Sequence, residues 1–418
     1  MAPTRAPDLT PILVGGCMII LISFAIRASF GVFQIPIAED FGWLRADFSM
    51  AIAIQNLAWG IGQPLFGAFA ERFGDKRALI LGAVLYAAGL VLSAYAVTPQ
   101  QHWGLAVMIG LGVAGTGFGV LLSVVGRAAS DDNRSMALAI VTAAGSGGQV
   151  VGAPVAEWLL GFMPWTSVFV IFAVAILCAL LFLPLLRNTS LAPRTELEDS
   201  LGTVLNRAFR DPSFTLIFLG FFSCGYQLAF ITAHFPALVT EMCGAIDPSG
   251  TLASLGVSTT SALGAVSISI IGLANIAGTL TAGWLGKRYT KKYLLAGIYT
   301  LRTIAAAAFI VFPITPGSVI LFSVVMGSLW LATVPLTSGL VAYIYGLRYM
   351  GTLYGIVFLS HQLGSFVGVW LGGRLYDAYG DYTAVWWVGV GVSALSAVLH
   401  LPVREKPLSA ATVALPAQ

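Results

Sequence analysis

The sequence predicts an all-α, polytopic membrane protein: twelve transmembrane helices in two pseudo-symmetric six-helix bundles. Three observations carry that prediction. First, 58% of the 418 residues are apolar, only 9% are charged, and the mean hydropathy is +0.89. A soluble domain carries about 25% charged residues. Second, the apolar residues gather into runs of roughly 20, the length that crosses a hydrocarbon core of about 30 Å. Third, one short phrase occurs in each half. Gly67-Ala-Phe-Ala-Glu71-Arg72-Phe-Gly74-Asp75-Lys76-Arg77 closes one apolar run, and Gly283-Trp-Leu-Gly-Lys287-Arg288-Tyr-Thr-Lys291-Lys292 closes another. In both, a glycine lets the helix end pack closely and a charged, mostly basic turn follows. A membrane protein made of two similar halves needs one such turn in each, where paired helices rock against each other.

Composition also excludes. The abundance of Leu, Val, Ile and Phe rules out disorder, and 47 glycines and 19 prolines without a period rule out collagen. Both residue types are common in membrane helices. A net charge of +3 gives no reason to invoke nucleic acid. Cys17, Cys178, Cys224 and Cys243 have no metal-ligand spacing, and three lie inside apolar runs, which speaks against a disulfide framework. No phosphate-cradling Gly-rich loop precedes a Lys-Ser/Thr pair, so direct ATP use has no support, and no cofactor is expected. The four histidines, His102, His234, His361 and His400, are dispersed. An intramembrane enzyme would need a nucleophile–base or metal constellation instead. The short, weakly charged stretch before the first long apolar run reads as the lead-in to a membrane helix, not as a cleaved signal peptide.

The first bundle is expected within 1–186. Its opening span, 12–37, holds Arg27 past its middle, and the second, 48–70, ends in the first charged phrase. Spans 78–98 and 104–126 follow. The fifth, 136–161, contains Gly148-x-x-x-Gly152-x-Pro154, a close-contact and bending element, with Glu157 late in the run. The sixth is 165–186. A polar segment, 187–213, mixes Arg187, Arg194, Arg207 and Arg210 with Glu196, Glu198, Asp199 and Asp211 and reads as a cytoplasmic linker between bundles. The second bundle is expected within 214–418. In 214–240, His234 precedes Pro236, where a helix bends and frees carbonyls. Span 263–286 carries Asn275 and ends in the second charged phrase. Span 293–312 holds Arg302 near its middle. Spans 317–345, 351–373 (with Tyr354 and His361) and 383–402 complete the count before a short cytoplasmic tail. With both termini cytoplasmic, 17 of the 21 basic residues fall in inside segments and only Arg45 and Arg374 outside. That split follows the positive-inside rule.

The phrase after span 2 resembles the signature Gly-x-x-x-Asp-Arg-x-Gly-Arg-Arg of the major facilitator superfamily, with Glu71 for the acid and Asp75 where a basic residue is usual. The weaker copy after span 8 is similar to that family's internal duplication. Within the superfamily the chain resembles the monocarboxylate and oxalate/formate transporter branch. Ser29-Phe-Gly-Val-Phe33, Arg134-x-x-Ala137 leading into Gly145-Ser-Gly-Gly-Gln149, and Gly355-Ile-Val-Phe-Leu-Ser-His361-Gln-Leu-Gly364 carry that likeness. It implies an acid–arginine pair in span 8, where this chain has Asn275 and Thr279. It also implies a lysine where His361 stands. The Asp-Gly-Gly-Trp opening of the animal branch is absent, as is the Arg-x-x-x-Gly pattern of span 4 found in many proton-coupled members.

Ionisable groups at membrane depth are costly, so each marks a partner or a wet cavity. Arg27 stays charged and can grip a carboxylate with two parallel hydrogen bonds. His361 can supply positive charge or bind and release a proton near neutral pH. His234, Asn275, Gln149 and Tyr354 are the remaining candidate substrate contacts. The resemblance places span 9 on the periphery, so Arg302 is expected to brace spans 8 to 10. Gly67, Glu71, Arg72, Gly74, Asp75, Arg77, Lys287 and Arg288 are expected to form a cytoplasmic gate that pairs with helix ends in one state and separates in the other. The expected function is secondary transport of a small organic anion, a carboxylate above all, by alternating access, as proton symport or anion exchange. An exporter of drugs or other apolar compounds is the alternative. The expected partners are the small-molecule anion, protons and the lipid bilayer of the cytoplasmic membrane, with the chain working as a monomer.

Overall fold

A computed structural model of the chain describes residues 9–43, 45–186 and 200–407. Within them the chain is helical, without strands. Twelve long helices follow one another: α1 (Leu9–Ser29), α2 (Arg45–Phe73), α3 (Asp75–Ser93), α4 (Pro99–Ala128), α5 (Asp131–Leu160), α6 (Trp165–Leu185), α7 (Pro212–Met242), α8 (Thr260–Arg288), α9 (Lys291–Val311), α10 (Pro316–Tyr345), α11 (Met350–Tyr379) and α12 (Thr383–His400). A short helix, Gln34–Phe41, continues α1 through a 3-10 turn, and the described part of the linker forms a helix over Leu201–Arg210. Arg187, Arg194, Glu196, Glu198 and Asp199 of the linker lie outside the described residues.

Eleven of the twelve are long and apolar enough to cross a bilayer on composition alone; α2 falls short. Gln55, Asn56 and Gln63 lower its hydropathy, yet all three are buried. The helix packs against α4 on one side and α11 on the other, so protein takes the place of lipid around these polar groups.

The packing repeats between the halves. Helix α1 lies on α5 as α7 lies on α11; α2 lies on α4 as α8 lies on α10; α3 lies on α6 as α9 lies on α12. The most extensive contacts between halves join α2 with α11 and α5 with α8. The starts of α1, α3, α5, α7, α9 and α11 share one face, called here the terminal face, and the opposite end is the distal face.

Close backbone approach makes the α1–α5 and α7–α11 pairs possible. A Cβ on Gly148 would run into the Leu21 carbonyl, and one on Gly152 into that of Ala25. In lipid no water-driven force draws helices together, so such small-residue contacts carry the association. Gly152→Val is therefore expected to spread α1 from α5. An overpacked interior of this kind costs about 1–3 kcal/mol, read as a lowered thermal midpoint of the purified protein. An unchanged midpoint would show that the pair tolerates separation.

Candidate functional site: the interface between the two bundles

At the terminal face the end of α2 caps the start of α11. The Glu71 carboxylate accepts a hydrogen bond from the Thr352 backbone N–H at 3.0 Å and another from the Thr352 hydroxyl. Both donors lie in the first turn of α11, where unsatisfied N–H groups and the helix dipole favour an acceptor. The approach needs a glycine: a Cβ on Gly67 would stand 2.5 Å from the Gly351 carbonyl carbon. Gly74 makes the turn out of α2 with φ +99°, a backbone region that other residues enter at a cost. Asp75, the next residue, is buried and accepts a 2.6 Å bond from Arg127 Nη2 at the end of α4. The second phrase does its crossing differently. Lys287 Nζ donates to Asn133 Oδ1 of α5 at 3.2 Å, and Gly283 packs on Ala139. Arg72 and Arg288 are exposed and lie over the rings of Phe73 and Trp284, and Arg77 is exposed.

Midway through the membrane, α10 is interrupted between Leu329 and Thr333, and two side chains hold the loosened backbone. Arg302 of α9 donates from Nε (3.1 Å) and Nη2 (2.6 Å) to the Leu329 carbonyl and from Nη2 to that of Trp330. Asn275 of α8 accepts the Leu331 N–H at 2.8 Å and the Thr279 hydroxyl at 3.0 Å, while its amide donates to Ser146 of α5 at 2.7 Å. One neutral side chain thus ties α8 to α10 and to the other bundle. Pro335 explains part of the interruption, because it has no N–H for the Leu331 carbonyl. The pseudo-symmetric helix α4 breaks at Gly117, where Gln63 of α2 donates to the Ala114 carbonyl at 3.2 Å.

Arg27 lies at the same interface. Its Nη2 donates to Asn56 Oδ1 at 3.0 Å, and its guanidinium sits over the Trp59 ring at 4.7 Å and the Phe24 ring at 5.8 Å. It is only half-buried. A string of rings leads from it into the other bundle: Trp59 meets Phe358 at 4.8 Å, and Phe358 stacks on His361 at 4.9 Å. His361 Nδ1 lies 3.0 Å from Gln362 Oε1. A cation in the first bundle and an imidazole in the second therefore face one aromatic partition.

The other candidates lie elsewhere. His234 Nε2 lies 3.1 Å from the Val369 carbonyl, and the ring packs on Phe230 and Tyr382, so this histidine ties α7 to α11 within the second bundle. Tyr354 is buried against Phe221 and Phe358. Gln149 is half-buried. The side chain of Glu157 lies outside the described ones. Sequence reasoning passed over Trp59, Ser146, Cys224 and Thr352. Periodicity carries no signal for these, since each acts through a partner more than sixty residues away or on another helix.

The family model for the Major Facilitator Superfamily matches residues 16–368 and 244–417. The chain belongs to that superfamily. It is therefore an integral membrane transporter, a carrier and not an enzyme. Among curated relatives, the uncharacterized MFS-type transporter YcxA of Bacillus subtilis is 25% identical over 390 residues, 90% of each chain. Monocarboxylate transporter 13 of Bos taurus is 24% identical over 86% of this chain and 81% of its own. The multidrug resistance protein MdtH of Photorhabdus laumondii is 28% identical over about half of each chain (54% and 55%). The fold is shared with the proton:xylose symporter XylE, at TM-score 0.70 and 16% identity over 96% of this chain and 97% of that one. It is shared too with the E. coli fucose:proton symporter FucP, at TM-score 0.67 and 15% identity over 93% and 97%.

The terminal-face contact is expected to depend on pH, with a definite sign. Burial pushes the Glu71 carboxyl up to about 7, and the Thr352 bonds offset only part of that. A carboxyl whose pKa is higher in the closed contact than in water favours closure when protonated. Closure is thus strongest below about pH 7 and weakens as the pH rises through it. Spin labels on the exposed Lys76 and Arg288 should show a growing long-distance population from pH 6 to pH 8. Glu71→Gln, neutral throughout and still an acceptor for Thr352, should remove that dependence. Identical distance distributions at both pH values in the unaltered carrier would refute it.

Proposed function

We propose that this carrier moves a small organic anion, a carboxylate above all, across the cytoplasmic membrane by alternating access, with both termini on the cytoplasmic side. The observation that carries the reading is Arg27: a permanent cation, half-buried at the bundle interface, spending a single hydrogen bond on Asn56 among the described residues. A guanidinium has five N–H donors in a fork that matches a carboxylate. Trp59 and Asn56 hold it in place, which limits the entropy lost when an anion arrives. His361, across the Trp59–Phe358 contact, is the second group of positive or proton-carrying character in reach of the same space.

The bonds between bundles lie at the terminal face (Glu71–Thr352, Lys287–Asn133) and at mid-depth (Asn275–Ser146) among the described residues. Loading from the distal, outer side fits that distribution, and breaking the terminal-face bonds releases cargo inward. Gly67, Gly74 and Asp75 shape the gate, while Arg72, Arg77 and Arg288 form its basic rim. The likeness to a monocarboxylate transporter supports the cargo class, and the proton symporters of the same fold support proton coupling. Asn275 serves the gate in this state, with both ends of its amide engaged within the protein. His234, Gln149 and Tyr354 remain proposed contacts for other stages of the cycle.

A second reading, export of apolar drugs, draws on the half-length likeness to MdtH and on the aromatic rings Phe24, Trp59 and Phe358 beside Arg27. The two readings part at one variant. Short carboxylates should raise the thermal midpoint of the purified carrier, and Arg27→Ala should lower their affinity about 10- to 100-fold, as expected when about 1.5–3 kcal/mol of charged hydrogen bonding is removed. Stabilisation by uncharged compounds alone, indifferent to Arg27→Ala, would favour the drug reading instead.

A further inference from the structure

The described part of the linker, the helix Leu201–Arg210, runs directly into α7, and neither the gate nor Arg27 uses it. Ser200 starts the helix by accepting the Thr203 N–H at 3.2 Å. Asp211 closes it and caps α7 in turn, accepting the Ser213 N–H at 2.9 Å. Helical spacing sorts the side chains between these caps into two stripes. Leu201, Val204, Leu205 and Ala208 form the first. Val204 and Leu205 pack on the core, and Ala208 is fully buried. Thr203, Asn206, Arg207 and Arg210 form the second, with the same spacing on the opposite side. These four, with Asp211 and Pro212, line an open cavity of about 460 Å³.

Two guanidinium groups against one carboxylate leave that lining net positive. Both oxygens of the carboxylate are engaged: Asp211 Oδ1 accepts the Ser213 N–H, and Oδ2 accepts the Tyr345 hydroxyl at 2.7 Å. The rest of the lining is guanidinium, amide and hydroxyl, a set rich in donors, and the guanidinium fork matches a phosphate. The tail brings more charge to the same corner. The Arg404 N–H donates to Ser213 Oγ at 3.1 Å, and Arg404 and Lys406 are exposed, while Glu405 between them accepts from the Lys291 and Lys292 N–H groups. Phe209 stands at the border of the two stripes, 59% exposed, its ring edge-on to Phe214 of α7 at 5.7 Å. A soluble anion has no use for that ring. An exposed aromatic beside arginines, at the end of a membrane-crossing helix, suits the boundary where acyl chains meet headgroups.

We propose that this cavity holds the phosphate headgroup of an anionic phospholipid, gripped by Arg207 and Arg210, with Phe209 against the glycerol and acyl chains. The apolar stripe holds the helix to the protein, and the polar stripe holds it to the membrane. Because Asp211 closes this helix and caps the next, a lipid bound here fixes the entry of α7, and so of the second bundle, at the membrane surface. The attraction is electrostatic, and each basic residue near an anionic surface adds to it. The inference rests on the chain's being an integral membrane protein and not on which cargo Arg27 receives.

The test counts lipid and needs no cargo. The full chain, purified in neutral detergent, is titrated with phosphatidylglycerol or phosphatidylcholine, and bound lipid is read by native mass spectrometry. Phosphatidylglycerol should be retained more tightly than phosphatidylcholine. Arg207→Gln together with Arg210→Gln should weaken that retention about 25-fold, about 5-fold for each arginine. Asn206→Glu keeps both arginines and gives Arg210 a partner one turn away that supports the helix, so it should weaken retention without unfolding. Lys76→Gln, at the start of α3 in the first bundle, should leave it unchanged. Equal retention of the two lipids, indifference to the arginine and Asn206 variants, or equal weakening by Lys76→Gln would overturn the proposal. So would tight binding of inorganic phosphate without preference among lipids, which assigns the cavity to a soluble anion. Selectivity that emerges only after Glu196, Glu198 and Asp199 are neutralised assigns it to the chain's own linker and overturns the proposal equally. Because no substrate is present, a failed carboxylate screen leaves the outcome intact.

Discussion

A peptide group in hydrocarbon has no water to bond, and that single constraint organises this protein. Continuous helices meet it internally. Where the backbone departs from a continuous helix, something else must supply the bonds, and the two departures at mid-depth occur in pseudo-symmetric places. At Gly117 in α4 the supplier is Gln63; at Leu329–Thr333 in α10 the suppliers are Arg302 and Asn275. The polar side chains inside the membrane are thus concentrated where the backbone asks for them. Arg302 shows this best. It is an arginine buried in the second bundle, with Nε and Nη2 bound to carbonyls that the helix itself no longer uses.

The same constraint separates two kinds of intramembrane cation. Arg302 is committed to backbone and reaches no other bundle. Arg27 bonds one amide, rests on an indole and stays half-buried at the interface. A charge of the first kind maintains a fold; one of the second kind keeps donors that no described side chain takes up. Cation–π contact with Trp59 supports Arg27 without neutralising it, so its attraction for an anion persists. The polar bonds between bundles are likewise few and local, and a carrier needs them to break in turn. Glu71 capping α11 is one such bond, made to a single turn of helix.

The architecture was largely legible in the sequence because membrane insertion leaves a coarse record. Span lengths and the repeated Gly–charge phrase act over twenty residues or within one turn. Even the exception has a local reason: α2 fails the hydropathy criterion through Gln55, Asn56 and Gln63, residues that face protein. Gly148 and Gly152 announced a close helix contact, and the structure places α1 there. The expected span boundaries differ from the observed ones by a few residues, since helices such as α5 and α7 extend beyond the hydrocarbon. The break in α10 left no periodic trace, although Pro335 was a usable hint.

The candidate site divides along another line. Sequence alone determined that Arg27, Arg302 and His361 lie at membrane depth, because their distance from the polar ends of each span follows from chain position. It also determined that Gly67 to Arg77 lies at a helix end. Which of these groups is engaged and which is free was decided only by tertiary structure. Asn275 and Ser146 are 129 residues apart and share a 2.7 Å bond; Cys224 of α7 and Arg302 of α9 meet at the same Trp330 carbonyl of α10. Depth is a property of one helix crossing one slab. Partnership depends on how helices rotate and break against each other, and no pattern within a single span records that.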